Sequence, residues 1–270
     1  MTLFDDDMPG NVAAFEQTVR STIALTETLG AAQWDLPTDC PGWTVRDQVT
    51  HIIGVERMLL GDPEPAHTLP EALPHVRHDF ARALEVAVDS RRGQPGAEMV
   101  AELRETLERR LTALSTVDPA QQTLLPDGRT GPYSRFMMFR AFDCWTHEQD
   151  IRRAVERPGN LDAPAAERAR QILTTGLPLV VAKRAGAGPG HSVTIEITGP
   201  PSFRTCVVVG DDGRGRAAEP PQDPTVTLAM SWEGYLRLAA GRCGAADVAV
   251  AVDGDRDLAD RVLGNMAVTP

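Results

Sequence analysis

Lysine is almost absent from this 270-residue chain: Lys183 stands alone, and 27 basic side chains face 38 acidic ones for a formal net charge of -11. That balance argues against a nucleic-acid backbone or an anionic membrane as main partner, because both reward clustered cations. A small molecule is the expected partner. The preference for arginine over lysine reads as a compositional bias and carries no function by itself. Cysteine is scarce too. Cys40, Cys144, Cys206 and Cys243 are far apart and form no C-x-x-C, which excludes a disulfide scaffold or zinc ribbon and leaves reduced thiols as the expectation. No apolar run approaches the roughly 18 residues of a membrane span, and the first residues, Met-Thr-Leu-Phe-Asp-Asp-Asp, lack the basic and apolar regions of a secretory signal. A cytoplasmic location is expected. There is no Walker loop, no G-x-G-x-x-G and no G-x-S-x-G, so nucleotide-binding and serine-hydrolase readings have no support.

What is present is an ordinary globular composition, 42% apolar and 24% charged, in a chain long enough for two domains. Val12, Phe15, Val19, Ile23 and Leu29 recur at helical spacing and predict a first helix over about 9 to 29. After the turn-rich Leu36 to Trp43, Thr44 and Asp47 form a capping signature for a second helix, whose apolar residues include Val45, Val49, Ile52 and Ile53. His51 stands at the edge of that face. Two more amphipathic helices are predicted through Val76–Val88 and Met99–Leu114, then a compact loop at 126 to 132, a helix over 133 to 156, and a helical segment over 164 to 184 broken or kinked at Pro178. From the glycine-rich stretch at 183 to 190 the pattern changes. Strands are predicted around 193–197, 206–209, 226–230 and 248–252, with helices over 231–241 and from Asp255 to Met266. The reading is α plus α+β, with a helical domain over 1–185 and a small α+β domain over 191–270.

The chemistry-bearing stretch is Arg140-Ala-Phe-Asp-Cys-Trp-Thr-His-Glu-Gln-Asp-Ile151. Asp143 and His147 are four apart, hence on one helical face, in line with Phe136, Phe139, Arg140, Asp150 and Ile151. A buried carboxylate requires a partner. Spacing alone leaves two readings open, a divalent metal or a plain Asp–His hydrogen bond. Adding His51 from the second helix gives three ligands that a helical bundle can gather at one interior point, as catalytic zinc sites do while keeping a fourth position open. Cys144 is a weaker ligand candidate. Asp150 is a candidate to orient a histidine, or else a salt-bridge partner of Arg140 or Arg153. Cys40 is either a reactive thiol or part of a Pro-Gly turn. His67, His75, His78 and His191 fall in links or on apparently solvated faces and are set aside.

At Cys40-Pro-Gly-Trp-Thr-Val-Arg-Asp-Gln-Val-Thr-His51 and at Phe142-Asp-Cys-Trp-Thr-His-Glu-Gln-Asp-Ile151 the chain resembles the mycothiol-dependent maleylpyruvate isomerase family. The resemblance runs through nearly the whole sequence. It implies an N-terminal DinB-like four-helix bundle, a small sterol-carrier-like α+β domain at the C-terminus, and zinc or another divalent metal held by a His, an acid and a His, which fall on His51, Asp143 and His147. The isomerase itself uses glutamate where this chain has the shorter Asp143. The resemblance further implies mycothiol as cofactor, presented as a thiolate to a small electrophilic substrate in an S-transfer or in an addition and elimination that isomerises a double bond. An arginine of the small domain would then hold a carboxylate or the thiol by a bidentate contact, with Arg242 and Arg237 as candidate catalytic residues. Two rival readings stand beside this one: a non-enzymatic metal- or small-ligand-binding protein of the same fold, and a metal-dependent hydrolase using Glu148 or Asp150 as base.

Overall fold

The computed structural model describes residues 4–71, 73–76 and 79–269. Its contacts divide the chain into two compact units, one up to Arg168 and one from Ala169 onward. The first contains helices α1 (Met8–Thr26), α2 (Val45–Leu59), α3 (Asp79–Asp89), α4 (Gly96–Leu114) and α5 (Tyr133–Ala154). Helix α1 packs on α4 and α5, and α2 packs on the same two. These four therefore close into a ring in the order α1, α4, α2, α5, a four-helix bundle in which α2 and α5 are neighbours. Helix α3 lies outside the ring against α2. Gly54 permits that approach, since a Cβ there would fall 2.5 Å from Cβ of Ala87.

Each helix follows from its residues. Asp7 caps α1 by accepting from Gly10 N at 3.0 Å, and Thr44 with Asp47 forms the expected capping box of α2. Phe15, Val19, Val49, Ile52, Ile53, Leu103 and Leu107 are all at most 1% exposed, each contributing about 1.5–3 kcal/mol by leaving water. Helix α5 departs from simple amphipathicity. It buries Arg140, His147, Glu148, Gln149 and Asp150 together with Met137, Ala141 and Trp145, while Phe136, Phe139 and Asp143, which the sequence pattern places on the core stripe, are only half-buried. A short hairpin, β1 (Gln122–Leu124) with β2 (Thr130–Pro132), replaces part of the loop expected before α5. Three-residue strands leave no periodicity to detect.

Helix α6 (Pro164–Thr175) spans the division between the units, and beyond it come α7 (Leu177–Leu179) and a π-helical turn (Val180–Arg184). The break falls at Gly176, two residues before the expected Pro178, which instead sits in the first turn of α7 where its missing N–H costs no hydrogen bond. The second unit is a five-stranded sheet of β3 (Ser192–Thr198), β4 (Phe203–Val209), β5 (Gly215–Ala218), β6 (Val226–Ser231) and β7 (Ala251–Gly254), in the order β5-β4-β3-β6-β7. Strands β3 and β6 run parallel; the other pairs are antiparallel. Helices α8 (Trp232–Ala239) and α9 (Arg256–Gly264) pack on β6. The domain boundary expected at 185–191 lies inside this unit, because α7 and the π turn pack on β4 and β5. Strand β7 begins at Ala251, later than the expected 248, where its antiparallel ladder with β6 starts opposite Ala229.

Candidate metal centre

The site starts from a turn. In Cys40-Pro41-Gly42-Trp43, proline fixes φ and Gly42 has φ +81°, the signature of a type II turn closed by Trp43 N donating to Cys40 O at 3.1 Å. Trp43 O accepts from Thr38 N at 3.0 Å and from Thr38 Oγ1 at 2.8 Å. The chain then enters α2 through its Thr44 cap, which sets Gln48 and His51 facing α5.

Nε2 of His51 lies 3.3 Å from Oδ2 of Asp143, and Nε2 of His147 lies 3.6 Å from Oδ1 of the same carboxylate. The two imidazole rings meet edge to face with centroids 4.5 Å apart. One donor atom from each of His51, Asp143 and His147 falls within 4.8 Å of the others. Sequence spacing thus identified three residues that the fold brings together from two helices. The imidazoles keep 6% and 7% of their side-chain surface exposed and Asp143 keeps 33%, so the cluster opens to solvent on the acid's side.

The surrounding charges prepare these donors. Burial and the neighbouring His147 push His51 from 6.5 down to about 4, leaving it a neutral base at neutral pH. Burial alone would raise the Asp143 carboxyl, but Arg140, His147 and His51 outweigh it and hold the group well below the usual carboxylate range. Arg140 donates from Nη1 to Asp143 Oδ2 at 2.9 Å and from Nε to Glu56 Oε1 at 2.8 Å. The other oxygen of Glu56 accepts from Arg110 Nε at 2.7 Å. Two arginines and two carboxylates therefore balance in charge.

Three neighbours were not singled out in the sequence. Trp43 tilts over His51 and His147, with ring centroids at 4.9 and 5.7 Å. Its indole donates to buried Glu85 at 2.9 Å, which also accepts from Arg92 at 2.7 Å. Gln48 Oε1 lies 2.5 Å from His147 Nδ1, whereas Asp150, the expected orienting acid, stands at 3.7 Å and pairs with Arg153. The P-G-W motif and helical spacing (Gln48 is three residues before His51) were the available signals. Cys144 is fully buried with its thiol pushed well above the usual range by burial, and it accepts from Arg140 at 3.5 Å. His75, set aside as a link residue, is half-buried with Nε2 3.2 Å from Glu85; His67 pairs with Asp89 at 2.6 Å; His78 lies outside the described residues. Arg237 and Arg242 belong to the second unit. Arg242 N donates to Arg237 O at 2.8 Å and its guanidinium to Ala240 O at 3.1 Å, closing the end of α8. Arg237 lines an open depression with Glu233 and Asp247.

Fold and site together define a helical bundle that gathers imidazole and carboxylate between two adjacent helices, joined to a small α+β unit. Residues 15–152 match the family described as mycothiol maleylpyruvate isomerase N-terminal domain, and the chain belongs to that family, which is one of isomerase enzymes. Two solved structures of the mycothiol-dependent maleylpyruvate isomerase share the fold. One is 20% identical with a TM-score of 0.54, and a histidine-to-alanine mutant of it is 19% identical at 0.52; each covers 93% of this chain and 96% of its own. No curated protein matches the sequence significantly. No helix among the described residues is long and apolar enough to cross a membrane.

Proposed function

We propose that this chain is a divalent-metal enzyme, with zinc as the expected ion, that uses mycothiol or a closely similar thiol against a small electrophile, by S-transfer or by addition and elimination across a double bond. The observation that carries this reading is the convergence of His51, Asp143 and His147 within 4.8 Å. A His51 imidazole held neutral, a second imidazole from His147 and a carboxylate held ionised are a donor set that fits zinc. When bound, such an ion supplies a Lewis acid that lowers the pKa of a thiol at its remaining position.

The chain's own residues do the rest. Arg140 keeps Asp143 ionised and fixes its direction, Trp43 covers one side of the imidazoles against water, and the exposed edge of Asp143 leaves an approach for a small molecule. The buried Cys144 thiol is unsuited to act as nucleophile, which favours an exogenous one. Glu148 accepts from Ser21, Arg152 and Asn160, and Asp150 is held by Arg153, so neither carboxylate is poised as the base a hydrolase needs. For holding a substrate carboxylate, Arg242 and Arg237 are the proposed positions; the acids beside Arg237 make Arg242 the stronger of the two. Among the described residues no disulfide joins the four cysteines, which suits the reducing cytoplasm in which this reading places the chain.

The test is turnover of a panel of electrophiles by metal-loaded protein with and without mycothiol. Thiol-dependent turnover is expected. Undiminished activity without any added low-molecular-weight thiol contradicts the proposal.

A further inference from the structure

We infer that Gln48 is a positioning residue that sets which nitrogen of His147 carries its proton, and that Thr38, in the loop before α2, fixes Gln48 in the orientation to do so. The inference rests on the reading of His147 as a metal ligand. It starts from the Thr38 hydroxyl, which has one proton to give. That hydroxyl stands 2.8 Å from Trp43 O, a carbonyl that only accepts. With its proton committed there, Thr38 Oγ1 accepts, and it receives Gln48 Nε2 at 2.6 Å and Cys40 N at 3.3 Å.

The nitrogen end of the Gln48 amide is thereby tied to the loop, and its oxygen end faces Nδ1 of His147 at 2.5 Å. An amide oxygen has no proton to offer, so Nδ1 carries the hydrogen and donates. Nε2 is left with its lone pair directed into the cluster with Asp143 and His51, the form a metal ligand requires. Turning the amide over would send the Thr38 proton to Gln48 and abandon the bond to Trp43 O, one hydrogen bond fewer among groups of which Gln48 is fully buried and His147 only 6% exposed. The two acids near the ring, Asp150 at 3.7 Å from Nδ1 and Asp143 at 3.6 Å from Nε2, draw the proton in opposite directions, which leaves the Gln48 contact to decide. The turn that places Trp43 over the imidazoles thus also selects, through Thr38 and Gln48, the tautomer of the histidine beneath it.

The experiment has two arms. Long-range nitrogen–proton NMR on metal-free protein at neutral pH reads the tautomer directly: His147 is expected as Nδ1–H in the unmutated chain and shifted toward Nε2–H in Thr38→Val. Competition with a chelator reads zinc affinity: Gln48→Leu is expected to weaken zinc about 10–100-fold, and Gln48→Glu, which keeps an acceptor oxygen, to restore most of it. An Nε2–H tautomer in the unmutated protein, or Gln48→Leu binding zinc as tightly as the unmutated chain, overturns the inference. If the unmutated chain binds no metal, the metal reading fails, and the NMR arm still decides the role of Gln48.

Discussion

Arg140 and Asp143 lie one turn apart on α5, and the 2.9 Å contact from Nη1 to Oδ2 joins the candidate metal centre to a buried chain of charges running through Glu56 to Arg110. The acid that sequence spacing marks as a ligand is held from behind by a guanidinium that is itself held.

Breaking that chain at its middle should be costly. Glu56→Ala leaves two buried arginines without their shared carboxylate, and removing one partner of a buried ion pair costs about 3–5 kcal/mol. Denaturant unfolding should show a loss of that order. A loss near zero would mean that the arginines find other partners and that Glu56 does not organise the bundle interior.

Acid should weaken the metal-free protein as the pH falls from about 6.5 to about 4. His51 falls from 6.5 unfolded to about 4 folded, so between those values the unfolded chain binds the extra proton and stability declines as pH falls. That difference corresponds to about 3 kcal/mol. Asp143, held low in the fold, adds a loss in the same direction at still lower pH. Chemical denaturation from pH 7 to 4 should show the decline, and His51→Leu should flatten it; a flat profile for the unmutated protein contradicts the burial of a neutral imidazole.

Removing the buried thiol should spare the chemistry. Cys144→Ala should retain metal and most thiol-dependent turnover, at a modest stability cost from a small cavity. Loss of turnover with metal and fold intact would mark Cys144 as a reacting group.

Asp143→Glu separates two roles for the acid. If Asp143 ligates directly, the longer carboxylate should retain zinc and some turnover, whereas Asp143→Ala should lose both. If it instead only orients the imidazoles, the added methylene should disturb them and weaken metal binding. Zinc content after dialysis, measured beside turnover, distinguishes the outcomes.

Long helices and capping were legible because they repeat or have fixed spacing: Thr44 and Asp47 announced α2, and Asp143 and His147 announced a shared face. Partnerships across elements were not. The spacing of Gln48 puts it beside His51 on α2 but does not say that its amide would meet a ring from α5, nor does any spacing say that Glu85 on α3 would hold Trp43. Asp150 is the residue the pattern offers to orient His147, and only the geometry, 3.7 against 2.5 Å, gives that place to Gln48. Strand β5 escaped notice because Gly215-Arg-Ala-Ala is an edge strand with little apolar surface to alternate. Likewise, the helical pattern through 184 could not say that Val180 and Val181 would bury with the sheet unit.

The most direct test of the central claim is the absorption spectrum of cobalt-loaded protein titrated with mycothiol, because cobalt(II) takes zinc-type donor sets and reports its ligands by colour. About one cobalt per chain should bind, and adding the thiol should raise a thiolate-to-metal charge-transfer band, with neither seen in His147→Ala. Failure to bind cobalt, or a bound cobalt whose spectrum does not respond to the thiol, would contradict the account.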